Sequence, residues 1–275
     1  MIPLKVVTST SPLAVPVRDV GEDAGGIPVE ETAGALSIPV VESTSATALK
    51  VSGLFLPSSL SGLAAWHSAD YGVLNSVGPD VAATNGQTVR RWLDRSGNGR
   101  HLDQATLALQ HTYGTTSGPN SMAGISASGT TSMTSTIPSV PQPYIQCIVF
   151  KRNETVATNV DLLRFGTQAL GVYPGSDSST GKWITSYGTA RRFDAASNNT
   201  NWHYAAMFAS GASSLATFDG TEYTYPNGSP GASPASGLNS SAMAMSCVVC
   251  ELILVAGTQA NATSLSKYLK RKYGL

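Results

Sequence analysis

From residue 54 to residue 255 the chain alternates short runs of β-branched, aromatic and aliphatic residues with clusters of Gly, Pro, Ser, Asn and Asp. Such runs predict strands over 87–93, 144–151, 160–165, 182–187, 203–208, 213–218, 221–225 and 243–255. Within 203–208 the alternation is regular: Tyr204, Ala206 and Phe208 share one face, and His203, Ala205 and Met207 share the other. Asp219-Gly220, between two runs, signals a hairpin. The period changes at the C-terminus, where Leu265, Tyr268, Leu269 and Tyr273 fall at i, i+3, i+4 and i+8 and predict a helix over 259–273. Thr258 stands at its N-cap, and Gly274 stands where a left-handed C-terminal cap belongs. Lys267, Lys270, Arg271 and Lys272 lie mostly off the stripe and predict a solvated face that complements the helix dipole. Many short strands and one terminal helix argue for an all-β fold. The expected architecture is a two-sheet antiparallel jelly-roll sandwich, with the helix stripe laid against one sheet or across its edge.

Residues 1–53 follow another pattern. They contain no Phe, Tyr or Trp, the side chains that dominate cores. Instead they repeat a proline-centred triplet: Val15-Pro16-Val17, Ile27-Pro28-Val29 and Ile38-Pro39-Val40. Proline removes a ladder donor, which confines each triplet to an edge strand or an extended polyproline-like segment. Three basic and six acidic residues give this arm a net charge of −3 and leave +3 for the rest. Pro, Gly, Ser and Glu are also the material of disordered leaders. Regular apolar triplets, however, supply sticky spots that a plain linker does not need. The chain is therefore expected to divide into an extended arm, 1–53, and a sandwich, 54–275. The arm is read as an anchor that lies along a neighbouring protein or intertwines with copies of itself.

Three stretches resemble a known family. Leu63-Ala-Ala-Trp-His-Ser-Ala-Asp70, followed by Val89-Arg-Arg-Trp-Leu-Asp-Arg-Ser-Gly-Asn-Gly99 and then His101, Leu102 and Gln104, is similar to the opening of concanavalin A-like (laminin-G-like) lectin/glucanase domains. The closing Lys267-Tyr-Leu-Lys-Arg-Lys-Tyr-Gly-Leu275 looks like the last helix of such domains in bacterial and phage surface proteins. Trp202-His-Tyr204, running through Gly211 to Phe218-Asp-Gly220, resembles their paired strands around an aspartate-glycine turn. The resemblance implies a module that binds, displays or attaches and rarely catalyses. The Pro-Val repeats of the arm look like the leaders of phage virion proteins.

Composition narrows the function further. Only 12% of residues are charged and the net charge is zero, so no overall field favours nucleic acid or an anionic membrane. The apolar run 247–256 is too short to span a bilayer and contains Glu251, so no membrane insertion is expected. The start, interrupted by Pro12 and Pro16, forms no apolar signal region. The expectation is a protein made in the host cytoplasm without a signal peptide, reaching the exterior on a virion surface. Cys147, Cys247 and Cys250 sit in apolar strands and read as small core residues of a protein assembled under reducing conditions.

Candidate chemistry is sparse. Glycoside hydrolysis needs two carboxyl groups facing one bond. The sandwich has three glutamates, Glu154, Glu222 and Glu251, none with a carboxylate two or four residues away in its strand. No G-x-S-x-G elbow or phosphate loop occurs. Trp66, His67, Asp70, Trp92, Asp94, Asn98, His101 and Asp103 cluster in sequence, but core tryptophans and an aspartate accepting from the 96–99 turn account for them. No catalytic residue, metal or cofactor is assigned. For sugar, exposed aromatics flanked by planar polar groups are wanted, and Trp183, Tyr187, Arg191, Arg192, Tyr223 and Tyr225 are the candidates. The expected function is a non-enzymatic phage virion surface protein, either a capsid decoration or head fibre, or a tail-fibre component. It would be a homotrimer, attached to other virion proteins by the arm, with a host glycan as partner. The alternative is a secreted carbohydrate-active enzyme or its binding module.

Overall fold

The computed structural model describes residues 27–29, 38–40, 55–76, 81–128, 133–135, 140–153, 160–165, 168–172, 183–187, 190–191, 199–211, 213–224 and 246–275. The strands before residue 55 and those between 160 and 191 are described by their backbone alone. The chain divides into two compact units, Met1–Phe55 and Leu56–Leu275.

In the first unit, β1 (Ile27–Val29) and β2 (Ile38–Val40) pair antiparallel, with Pro28 opposite Pro39. An antiparallel ladder exchanges bonds at every second pair, so two facing prolines fit the central pair, which needs no donor. The Val15–Pro16–Val17 triplet lies outside the described residues.

The second unit runs β3 (Leu63–Ser68), β4 (Val73–Asn75), β5 (Thr88–Trp92), β6 (Leu102–Asp103), β7 (His111–Gly114), β8 (Gly124–Ser128) and β9 (Tyr144–Arg152). It continues with β10 (Val160–Phe165), β11 (Gln168–Val172), β12 (Trp183–Tyr187), β13 (Ala190–Arg191), β14 (Trp202–Ala209), β15 (Leu215–Phe218), β16 (Thr221–Thr224), β17 (Ser246–Ala256) and α1 (Gln259–Tyr273). Strands β16, β15, β14, β9 and β17 are neighbours in that order. The far edge of β17 is shared: β8 takes residues 246–249, and β3 takes 251–255. From β8 the ladder passes through β7 to β5, which also pairs β4 and β6. Strands β10 to β13 form a separate four-stranded meander. The fold is an antiparallel jelly-roll sandwich with a C-terminal helix. Between its layers Val89, Trp92, Ile148, Phe150, Met207 and Leu252 pack together, all at most 2% exposed.

The helix covers the outer face of the sheet, against β14, β9 and β15. Its stripe residues Leu265, Tyr268, Leu269 and Tyr273 are buried, which stabilises by about 2 kcal/mol per side chain before entropic costs. Asn261 Oδ1 accepts from the Thr258 amide at 2.8 Å and hydroxyl at 3.0 Å. Gly274 adopts the left-handed conformation (φ 65°), and Asn120 Nδ2 donates to the Tyr273 carbonyl at 2.8 Å. Start, stripe and stop therefore lie where the periodicity predicted them. The expected solvated basic face needs one correction. Lys267, Lys270 and Arg271 are exposed, but Lys272 turns inward to a buried carboxylate, 2.8 Å from Glu251.

Strand β17 is eleven residues long and buried along nearly its whole length, as expected of a central strand with neighbours on both edges. Its pairing with β9 slips by one residue between Val249 and Glu251, a β-bulge at Cys250. The slip resets which side chains face inward. Cys247 and Val249 before it, and Leu252 and Leu254 after it, all join the core between the layers. Strict alternation would have placed Glu251 there with them. The bulge turns Glu251 to the helix side instead.

Candidate functional site

The motif after β5 is spent on local architecture. Asp94 Oδ1 accepts from the amides of Trp66 and Ser96, both at 2.9 Å. Its Oδ2 accepts from the Ser96 hydroxyl at 2.7 Å and the Arg100 amide at 3.0 Å. These amide and hydroxyl donors outweigh burial, which alone would raise the carboxyl, and hold it below the usual aspartate range. Asn98 Nδ2 donates to the carbonyls of Leu63 and Ala64, and Arg100 Nη1 donates to Ala64 at 2.7 Å. His101 Nδ1 accepts from the Asp94 amide at 3.0 Å, and His67 Nε2 faces the Arg100 carbonyl at the same distance. Asp94 accepts from the Ser96–Gly99 turn as the sequence led one to expect, and the turn is also tied to β3. Replacing Asp94 by Ala strands the buried Trp66 amide and should cost roughly 3 kcal/mol, read as a lower urea midpoint at unchanged slope. A loss below about 1 kcal/mol would show that water replaces the carboxylate there.

Glu251 is the most deeply buried acidic group among the described residues. It is fully buried, and its Oε1 accepts from Trp66 Nε1 at 2.7 Å and the Tyr268 hydroxyl at 2.8 Å. Its Oε2 accepts from Lys272 Nζ at 2.8 Å and the Tyr273 hydroxyl at 2.6 Å. Burial and the neighbouring Glu251 push the phenols of Tyr268 and Tyr273 well above their ordinary value, so both stay protonated as donors. A carboxylate with four donors and no solvent contact fastens β3, β17 and α1 together. It is not placed to move protons for a substrate.

A histidine–aspartate pair joins β14 to the turn of the β15–β16 hairpin. His203 Nδ1 is 2.6 Å from Asp219 Oδ2, and its Nε2 is 3.0 Å from Asn199 Oδ1. Asp219 also accepts the Tyr204 amide at 3.0 Å, and it enters the predicted Asp219-Gly220 turn with φ 48°, followed by 84° at Gly220. Both positive angles are those of the tight hairpin turn that favours Asp-Gly. The imidazole is packed against Phe150 and Phe218, with ring centroids 5.7 and 5.1 Å away. A general base would present one ring nitrogen to a substrate. Here both nitrogens face neighbouring oxygens.

The remaining polar cluster is at the surface. Asp70 and Tyr71 follow β3, Arg95 follows β5, and Lys272 closes α1. Asp70 Oδ2 is 3.2 Å from Lys272 Nζ, and its Oδ1 is 3.6 Å from Arg95 Nη1. Partial burial works against the Asp70 carboxylate, but Lys272, Ser68 and Arg95 together hold it below its ordinary value. The Arg95 guanidinium lies 4.4 Å over the Trp66 ring and 5.4 Å from the Tyr71 ring. This cluster was visible in sequence only as part of a structural motif.

The glycan candidates read from sequence fall elsewhere. Trp183 and Tyr187 begin and end β12, where Trp183 pairs with Val172 and Tyr187 with Gln168 and Ala190. Arg191 stands on β13 opposite Ser186, so the backbone brings Tyr187 and Arg191 to one end of the small meander. Arg192 and Tyr225 lie outside the described residues. Tyr223, on β16, is partly buried and packs against the sandwich core.

The fold and its internal polar ties define an antiparallel β-sandwich whose terminal helix is fastened to one sheet by a buried carboxylate. No protein-family model matches the chain, and no curated protein matches it. Among solved structures, a GH54 α-L-arabinofuranosidase aligns at a TM-score of 0.52 and 13% identity, over 77% of this chain and 63% of that one. Domain 4 of AbnA, an extracellular GH43 arabinanase from Geobacillus stearothermophilus, aligns at 0.48 and 13% identity, over 74% of this chain and 98% of that one. Trypanosoma rangeli sialidase aligns at 0.48 and 12% identity, and the chain spans only 32% of its length. At 13% identity the likeness to the arabinofuranosidase is one of fold alone.

Proposed function

We propose that the protein is a non-enzymatic surface component of a bacteriophage virion, a capsid decoration or fibre. Its N-terminal arm attaches it to other virion proteins, and its lectin-like sandwich adheres to host glycan. The observation that carries this reading is the contrast between the two units. Residues 1–53 of the first have no Phe, Tyr or Trp, and two copies of the Ile-Pro-Val triplet pair as strands, which supports triplets that stick by strand pairing. In the second, the buried carboxylates Glu251 and Asp94 are held by hydrogen bonds that build the fold, which supports binding rather than acid–base chemistry. The chain works as a homotrimer joined partly through its arms, because proline-punctuated strands leave edges that another chain can pair.

The test is co-sedimentation. Full-length protein mixed with particles lacking it should band with them, and a chain without residues 1–53 should stay in the supernatant while melting as the full chain does. Full occupancy by the shortened chain would end the attachment reading. Light scattering of the full chain at micromolar concentration should give three chains per particle, and a clean monomer would remove the assembly claim.

A further inference from the structure

The geometry points to a carbohydrate site that the sequence candidates miss: Tyr71, Asp70 and Arg95 form a stacking platform for a neutral pyranose. This assignment rests on the glycan-adhesion reading above and gives it a location and a ligand class. Tyr71 is the one exposed aromatic among the described side chains, at 44% exposure. Every other described aromatic is buried or partly buried. Its two neighbours in space are polar and equally accessible, with side-chain exposures of 42% for Asp70 and 39% for Arg95. An aromatic ring offers a flat apolar face to the C–H face of a sugar. Beside it, a carboxylate accepts from hydroxyl groups and a guanidinium donates to them. These are the groups that orient a vicinal diol over a ring.

The platform is held in place from beneath. The Arg95 amide donates to the Trp66 carbonyl at 2.6 Å, and its guanidinium rests on the Trp66 indole, whose own Nε1 is fixed by buried Glu251. The Tyr71 amide donates to the Ser68 carbonyl at 2.9 Å. Lys272 Nζ bridges Asp70, Glu251 and the Ser68 hydroxyl, so the Asp70 carboxylate is oriented by a side chain that is itself anchored. Side chains already immobilised lose little entropy when a ligand arrives. Charge sets the ligand class. The two cations, Arg95 and Lys272, are matched by two carboxylates, Asp70 and Glu251. No unbalanced positive charge is left for a sialic or uronic acid, and a carboxylated sugar would meet Asp70 at close range.

Saturation-transfer NMR on the full-length protein is the test, with methyl β-D-glucopyranoside, methyl β-D-galactopyranoside, methyl α-D-mannopyranoside and methyl β-D-glucuronide as probes. At least one neutral pyranoside should receive saturation through its ring protons. Its affinity should fall at least about tenfold in Tyr71→Ala, and it should survive in Tyr71→Phe and Trp183→Ala. Asp70→Asn should weaken it without changing the melting temperature by more than a few degrees. Undiminished binding in Tyr71→Ala overturns this site and leaves glycan adhesion standing elsewhere on the protein. Tighter binding of the glucuronide than of any neutral sugar overturns the ligand class. No transfer from any of the four probes overturns the site and the adhesion reading together.

Discussion

A Glu251→Ala protein should unfold roughly 3 kcal/mol more easily than the parent, because the substitution takes from the largely buried Lys272 its closer carboxylate and leaves it only the half-exposed Asp70. It also strands Trp66 Nε1 and the hydroxyls of Tyr268 and Tyr273, all of which donate to that carboxylate. Glu251→Gln should be milder, since an amide oxygen still accepts on one side. Replacing both partners, Glu251→Leu with Lys272→Met, should recover part of the loss by removing the buried charge altogether. Urea unfolding followed by tryptophan fluorescence reads all three. If Glu251→Ala stays within 1 kcal/mol of the parent, the carboxylate does not fasten the helix and α1 is held by its apolar stripe alone.

Acid should destabilise the fold before Asp70 and Asp94, both held below the ordinary aspartate range, come into play. Burial lowers the imidazoles of His67 and His111 to about 4, although Asp94 works against this at His67. In the unfolded chain both titrate near 6.5. Between these values the unfolded chain binds protons that the folded chain refuses, so stability is intact above about pH 6.5 and falls as pH drops toward 4. The fall is up to about 3 kcal/mol for each ring. Asp70 and Asp94, held below their ordinary range, contribute only at lower pH. Melting temperature measured from pH 7.5 to 4 should therefore decline through this window, and His111→Gln should remove about half of the slope. A flat profile down to pH 4.5 would contradict the burial of both rings.

What the sequence disclosed follows from how local each signal is. The helix was fully legible because its stripe and both caps lie within seventeen residues, Thr258 to Gly274. Strand β14 was legible through its alternation, the β15–β16 hairpin through Asp219-Gly220, and the turn after β5 through its motif. Strands β8 and β11 escaped because Gly124-Ile-Ser-Ala-Ser128 and Gln168-Ala-Leu-Gly-Val172 are poor in β-branched and aromatic residues, and β7 because His111-Thr-Tyr-Gly114 is too short a run to signal. They are strands because their neighbours pair with them, which no local propensity records. Glu251 looked isolated since its Trp66 donor lies 185 residues away. Lys272 carried a faint signal, four residues after Tyr268 and so at the border of the buried stripe. The Tyr71 platform was hidden for a related reason, since its three groups come from two loops that meet only when β3 and β5 are in place.

The bulge at Cys250 makes β17 sensitive to length more than to composition. A strand keeps its inside and outside by parity, and Cys250 is the odd residue that changes the parity once. Substitution of Cys250 by another small residue leaves that count untouched. Deleting it would send Glu251 into the sandwich interior, with its four hydrogen-bond partners left on the other side of the sheet. The sequence can thus drift at this position while its number of residues cannot. Two chains sharing this fold should be aligned through β17 by parity before they are aligned by letter.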